Sequence, residues 1–142
     1  FDPNSLVSMM DMINKNFDFV FCSRYKDNNV SEDDTFIRKL GNYFFTKTVN
    51  LLFNINTTDV LFLYVLSKRK NFLSLKLNSK DFRICTEILL KSYINFKCTE
   101  VLSLERKRKF GESKVNALFD GFKILMNIAH YYIKRFSNKK LI

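Results

Sequence analysis

The chain has 142 residues, enough for one domain with a hydrophobic core and too few for two domains of typical size. Apolar residues make up 46%, with three Gly and one Pro, which excludes a disordered or low-complexity chain. Lys and Arg outnumber Asp and Glu by 24 to 14, and the net +10 calls for an anionic partner: nucleic acid, an acidic membrane surface or a phosphorylated ligand.

Asp2-Pro3-Asn4-Ser5 reads as a turn that opens a helix with Leu6, Met9, Met10 and Ile13 as its buried stripe. Residues 17–21 alternate around Asp18 in strong strand formers, which predicts a strand ending at Cys22-Ser23-Arg24-Tyr25. Residues 26–34 are polar and acidic and read as a loop. Phe36, Ile37, Leu40, Phe44, Leu51 and Leu52 recur at near-helical spacing and predict a long helix over 35–54, closed by a turn at 54–59. Residues 60–66 form a β-branched and aromatic run of strand length, followed by a short helical stretch at 69–75. A helix over 80–93 would turn Phe82, Cys85, Ile88 and Leu89 inward, and 98–104 is the next strand.

The last helix places Val115, Leu118, Phe119, Phe122, Leu125, Met126, Ala129, Ile133 and Phe136 on one face, widened by Ile124, Ile128 and Tyr131. Helix, strand, helix, strand, helix, strand, helix predicts an α/β chain. No uninterrupted apolar run reaches the roughly 20 residues of a membrane-spanning helix.

Cys22, Cys85 and Cys98 lie far apart, with no zinc-type spacing, and read as reduced thiols in a cytosolic, mostly buried setting. His130 sits among Tyr131 and Tyr132 and reads as a packed or interfacial side chain. The basic segment Arg106-Lys107-Arg108-Lys109-Phe110-Gly111-Glu112-Ser113-Lys114 carries the chemistry. A cationic loop running into a helix start offers unpaired backbone N–H groups, a favourable dipole and charged donors, suited to a phosphate or diphosphate. The plain alternative is a solvated loop.

Taken in order, these landmarks resemble the C-terminal half of family 2 glycosyltransferases, closest to the polyprenyl- or dolichyl-phosphate sugar synthases. Phe1-Asp2-Pro3-Asn4-Ser5-Leu6 is similar to the segment just after the family's Asp-x-Asp metal motif. Residues 17–25 are similar to its strand ending in Gly-Ser-Arg-Tyr, with Cys22 in place of the Gly. Thr58-Asp59 is similar to the start of its Asp-x-x-Ser-Gly-Phe stretch, although Leu61-Phe62-Leu63-Tyr64 stands where Ser-Gly-Phe is expected. Glu87 falls on a helix similar to the one bearing the acceptor-proximal Glu, and Arg106-x-Arg108 with Gly111-Glu112-Ser113-Lys114 is similar to the Arg and Gly-x-Ser-Lys block.

The resemblance implies the C-terminal portion of a GT-A, Rossmann-like mixed sheet flanked by helices. Residues 1–114 would form the acceptor-side half, and 115–142 a C-terminal amphipathic helix. In that helix 115–126 would cover the sheet, and the end from Ile128 to Phe136 would meet a membrane or a second subunit. The implied reaction moves a sugar from a nucleoside-diphosphate sugar to a lipid phosphate or glycan, at the cytoplasmic face of a membrane. A divalent metal, Mg or Mn, would be held by residues upstream of Phe1 and none by this chain, which opens without Met and reads as a piece of a longer, active protein.

Ser23, Arg24, Arg106, Arg108, Ser113 and Lys114 would hold phosphate, while Lys107 and Lys109 stay solvated. Asp59 and Glu87 are the catalytic carboxylates: a general base if the acceptor is a hydroxyl, orienting groups if it is an already ionised phosphate. The structural alternatives are an Arg24 ion pair with the acidic loop 32–34, a turn cap at Asp59 and a solvent-facing Glu87. Two other function classes compete, a basic nucleic-acid-binding module and a non-catalytic membrane-surface protein. Against nucleic acid, the Phe residues fall at expected core positions and no helix-turn-helix, RNA-recognition or zinc pattern occurs.

Overall fold

The computed structural model describes residues 2–29, 31–107, 111 and 116–136. The elements are α1 (Ser5–Asn14), β1 (Phe19–Ser23), a 3-10 turn (Lys26–Asn28), α2 (Phe36–Phe53), β2 (Val65–Ser67), α3 (Arg69–Ser74), α4 (Arg83–Asn95), β3 (Cys98–Leu102) and α5 (Ala117–Phe136). The strands form a mixed sheet in the order β2-β1-β3. Strand β1 runs antiparallel to β2, with Phe19 opposite Ser67, and parallel to β3, with Phe19 opposite Cys98 and Ser23 opposite Leu102. The chain is therefore a mixed α/β structure with a small sheet flanked by helices and a helix at its C-terminal end.

Every residue of β1 is buried, because both sheet faces are covered. Phe19 and Phe21 join Val49, Phe53, Leu89, Ile124 and Ile128 in the main core, while Val20 and Cys22 meet Met9 and Phe62 on the other face. The alternation expected around Asp18 stops at Phe19. Asp18 itself accepts hydrogen bonds from Lys97 N at 3.1 Å and Asn71 Nδ2 at 3.0 Å, closing the strand entrance.

Helix α2 begins where Thr35 accepts the Arg38 N–H and ends where Asn54 turns into the left-handed region at φ 52°. Its inward face is not the predicted apolar stripe. Asn42, Thr46, Val49 and Phe53 are buried, whereas Phe36, Ile37, Leu40, Phe44 and Leu51 are exposed. The polar members of the inward face have partners. Asn42 Oδ1 accepts the Leu61 N–H, Thr46 Oγ1 accepts that of Val60, and Asn50 exchanges two hydrogen bonds with the backbone of Thr57.

This explains why the strand expected at 60–66 shrinks to Val65–Ser67. The N–H groups of Thr57, Val60 and Leu61 find their acceptors on α2 side chains rather than on the backbone of a neighbouring strand.

Other boundaries shift for local reasons. Helix α4 starts at Arg83, with Asp81 accepting the Arg83 N–H and Phe82 exposed rather than turned inward. Strand β3 stops at Leu102, the loop 26–34 contains a 3-10 turn, and His130 is exposed with its ring edge against Tyr131. In α1, Met9 is buried while Leu6 and Met10 are exposed.

Helix α5 shows the largest reversal. Ile124, Ile128 and Tyr131 face the core, whereas Leu118, Phe119, Phe122, Met126 and Ile133 point outward, Leu118 at 87% exposure. The expectation that 115–126 would cover the sheet, and that the Phe residues would sit at core positions, does not hold for these side chains. No described helix is long and apolar enough to cross a membrane.

Candidate functional site

The carboxyl ends of the two parallel strands lie side by side, the usual place for a ligand in an open α/β sheet. Beyond β1 come Arg24 and Tyr25, and beyond β3 come Ser103, Glu105 and Arg106. The Ser103 N–H donates to Ser23 O at 3.0 Å and holds the two ends together.

Arg24 is the hub. Its Nε donates to Asp59 Oδ2 at 2.7 Å and its Nη2 to Asp59 Oδ1 at 3.0 Å, a bidentate pair. Its Nη1 donates to Glu105 Oε2 at 3.1 Å and lies 3.0 Å from Asp34 Oδ2. The guanidinium also lies 4.8 Å from the centre of the Phe62 ring. Burial works against its charge, and Asp59, Asp34 and Glu105 more than restore it, so Arg24 is held charged well beyond its ordinary range. The acidic loop and the buried turn at Asp59 thus meet on one cation.

Asp59 is 1% exposed and also accepts from Asn42 Nδ2 at 2.9 Å and from the Arg24 backbone N–H at 3.2 Å. Tyr25 OH donates to Asp34, and Ser31 Oγ donates to Glu105. Ser23 is fully buried, and its Oγ lies in hydrogen-bond contact with Thr58 Oγ1 at 2.6 Å and accepts from the Tyr25 N–H at 3.1 Å. Beside it Glu100 accepts from the Thr58 N–H and from the hydroxyls of Thr57 and Thr58. Burial raises the Glu100 carboxyl above its ordinary range despite these bonds.

Glu87 stands apart from this cluster. It is fully buried on α4, accepts the N–H groups of Asn78 and Ser79 at 2.9 and 2.8 Å, and pairs with Lys91 Nζ at 2.9 Å. Lys91 Nζ donates in turn to the carbonyls of Leu75 and Lys76. Burial pushes the Glu87 carboxyl up, but the bonds from Ser79, Lys91 and Asn78 outweigh it and bring the group down to about 2. Glu87 therefore pins the 75–79 turn to α4.

Arg106 is exposed and follows Glu105 directly. Arg108, Ser113 and Lys114 lie outside the described residues.

An apolar groove of about 590 Å³ opens between α2 and α5. Arg24, Asp34, Arg38, Asn42 and Asp120 supply the polar part of its lining, and Leu40, Phe44 and Leu118 are among its apolar walls. A largely apolar cavity with a few convergent polar groups is the usual form of a small-molecule site. The structure thus brings Ser23, Arg24 and Asp59 together, leaves Glu87 elsewhere, and adds Asn42, Asp34, Glu105 and Glu100. Asn42 had a sequence signal: 42, 46, 49 and 53 follow a heptad step with two polar members.

Burial raises the thiols of Cys22 and Cys85 to about 11 and of Cys98 to about 12, which leaves them protonated and unreactive at neutral pH. Compared with known proteins, the chain matches no family model, no curated protein and no solved structure.

Proposed function

We propose that this chain is the acceptor-side half of a GT-A-type, family 2 glycosyltransferase that moves a sugar from a nucleoside-diphosphate sugar onto a lipid phosphate. The observation that carries the acceptor choice is the state of the two carboxylates. Asp59 is buried on Arg24 and Asn42, and Glu87 is buried on backbone N–H groups and Lys91. Neither is presented to take a proton from an incoming hydroxyl. A phosphate monoester needs no such base, because its oxygen is already ionised. That oxygen attacks the anomeric carbon, and the bond to the leaving nucleoside diphosphate breaks. The groove between α2 and α5 offers an apolar path for the lipid chain, and Arg106 stands exposed beyond the parallel strand ends as a phosphate partner.

Arg24 and Asp59 act as positioning residues in this reading, tying the ends of β1 and β3 to the 31–34 loop through Glu105 and Asp34. A divalent metal, Mg or Mn, would neutralise the leaving diphosphate. Among the described residues the clustered carboxylates do not fit that ion. Asp59, Asp34 and Glu105 are turned onto Arg24, and among the described residues no group of three or more His, Cys, Asp or Glu could hold one. In this reading the metal and the nucleotide are held by residues other than these, and the 142-residue chain alone is expected not to turn over a nucleotide sugar.

The test is transfer of radiolabelled sugar from nucleotide sugars, with Mn present, to polyprenyl phosphate by a protein that contains this chain and a donor-binding half. A lipid-linked product, reduced by Arg106→Ala, supports the proposal. No lipid-linked product, together with a steeply salt-dependent affinity for DNA or RNA, would overturn it.

A further inference from the structure

The cations behind the net +10 are not spread evenly over the sheet. At the carboxyl ends of β1 and β3, Arg24 is outnumbered by Asp34, Asp59 and Glu105. The opposite end, where β1 and β3 begin and β2 finishes, carries the reverse. Ser67 and Cys98 both face Phe19 across the sheet, so Lys68 and Lys97 flank the entrance to β1 on its two sides. Lys15, at the end of α1, reaches the same edge through the short turn into Asp18. Arg69 and Lys70 reach it on the first turn of α3, whose Asn71 donates to Asp18. The five residues of β1, at about 3.3 Å each, put roughly 17 Å between the two ends, so this edge is separate from the Arg24 cluster.

Lys15, Lys68, Arg69, Lys70 and Lys97 are all exposed, and among the described residues none of them makes an ion pair. Two acids border them. Asp18 stands at the centre of the edge, where it accepts from Asn71 Nδ2 and the Lys97 N–H, and Asp11 is exposed one turn back on α1. The cations outnumber these acids, and the repulsion among them is relieved by an anion laid across the edge.

The order of charges selects the anion. Across the sheet it runs cation, carboxylate, cation: Lys68, Asp18, Lys97, at about 5 Å per strand. A phosphodiester backbone brings a negative charge at every unit and no donor for Asp18. The ring at this edge, Phe17, is half-buried with Lys97 Nζ 4.4 Å from its centre, so it is not open for a base to stack on. An extended polypeptide supplies both partners: carboxylates on alternate residues for the lysines, and N–H groups for the oxygens of Asp18.

We infer that the edge formed by the starts of β1 and β3 and the end of β2 is a docking surface for an extended acidic segment of a partner protein. The inference goes beyond the transferase reading and does not rest on it: failed turnover leaves it standing, and failed docking leaves turnover untouched.

The test is fluorescence anisotropy of the full-length protein with a fluorescein-labelled peptide of alternating Glu and Gly, beside an oligouridylate of equal charge and sedimentation with phosphatidylglycerol vesicles. The peptide should bind saturably, more tightly than the oligouridylate, and more weakly as added salt shortens the Debye length below about 8 Å. Arg69→Glu with Lys70→Glu should weaken peptide binding by about tenfold. New acids in the first turn of α3 suit its dipole, so the far-ultraviolet circular dichroism spectrum should not change. Lys39→Glu with Lys47→Glu makes the same change in net charge on α2, where Lys39 lies beside Tyr25 and Thr58 at the other end of the sheet. That pair should alter peptide affinity by no more than about twofold. No saturable peptide binding, an equal loss for the two pairs, or oligouridylate binding as tight as that of the peptide would overturn the inference. Vesicle binding that Arg69→Glu with Lys70→Glu abolishes, with no binding of the peptide, would also overturn it by assigning the edge to a lipid surface.

Discussion

Arg24 Nε lies 2.7 Å from Asp59 Oδ2 at a place where the Asp59 side chain has no exposure and that of Arg24 only 9%. A buried ion pair adds little net stability when intact, but removing one partner strands the other. Here Arg24→Met would leave Asp59, Asp34 and Glu105 around an apolar side chain. The expected loss is about 3–5 kcal/mol, read from urea unfolding at neutral pH. Arg24→Lys should recover only part of it, because an ammonium cannot make the bidentate contact to Asp59 while reaching Glu105. A loss below about 1 kcal/mol for Arg24→Met would mean that water replaces the guanidinium at little cost.

Glu87 sets a second, pH-dependent prediction. Its carboxyl titrates near 2 in the folded protein, against an ordinary value of 4.5. The folded state therefore binds the proton less readily than the unfolded state. The stability this confers is fully present above about pH 4.5 and is lost as pH falls towards 2, by about 3 kcal/mol in all. Glu87→Gln should be less stable at pH 7 and show a shallower decline over that window. Parallel slopes for the two proteins between pH 5 and pH 2.5, by urea unfolding at about half-unit steps, would remove Glu87 as the source.

Asn42 tests how the irregular segment 57–61 is held. It donates to Asp59 Oδ1 and accepts the Leu61 N–H, so Asn42→Ala leaves a half-buried amide without its acceptor. The expected cost is about 1–3 kcal/mol. Amide exchange at Leu61 should accelerate before that of the β1 ladder, because the segment depends on α2 side chains for its backbone bonds.

Helix α5 gives the sharpest test of packing. Ile128→Ala removes a side chain that is 1% exposed within the main core and should cost about 2–5 kcal/mol. Leu118→Ala removes one that is 87% exposed and should change stability by no more than about 0.5 kcal/mol. Denaturant midpoints for the two variants would decide which face of the helix is inside.

That same helix shows where the sequence can be read and where it cannot. The helical period places α5, and both apolar stripes are visible, one through 118, 122 and 126 and one through 124, 128 and 131. Period alone does not rank two apolar stripes. Contact with α2 and α4 does, through Gly121 beside Phe45 and Asn127 bonded to Thr86. Strand β2 fails for a different reason: β-branched residues at 60–66 predict a ladder, but Thr46 and Asn42 supply the acceptors that a neighbouring strand would have supplied. At the site, Arg24 and Asp59 stand out in the sequence as charges flanked by apolar runs. Their mutual pairing does not, because it spans 35 positions and is made by the fold.

Arg106 separates binding from folding. It is exposed, makes no ion pair among the described residues, and follows Glu105, which is fixed by Arg24 and Ser31. Arg106→Ala should therefore leave stability within about 0.5 kcal/mol of the parent. If it meets the acceptor phosphate, the loss of a charge-assisted hydrogen bond should weaken polyprenyl phosphate binding by about tenfold. The comparison with Glu105→Gln is informative. That variant keeps Arg106 but loosens its anchor to Arg24, so it should lower both stability and affinity. Titration of each variant with polyprenyl phosphate, alongside urea unfolding, distinguishes a residue that touches the ligand from one that only positions it. Equal affinities for Arg106→Ala and the parent would move the phosphate site away from the end of β3.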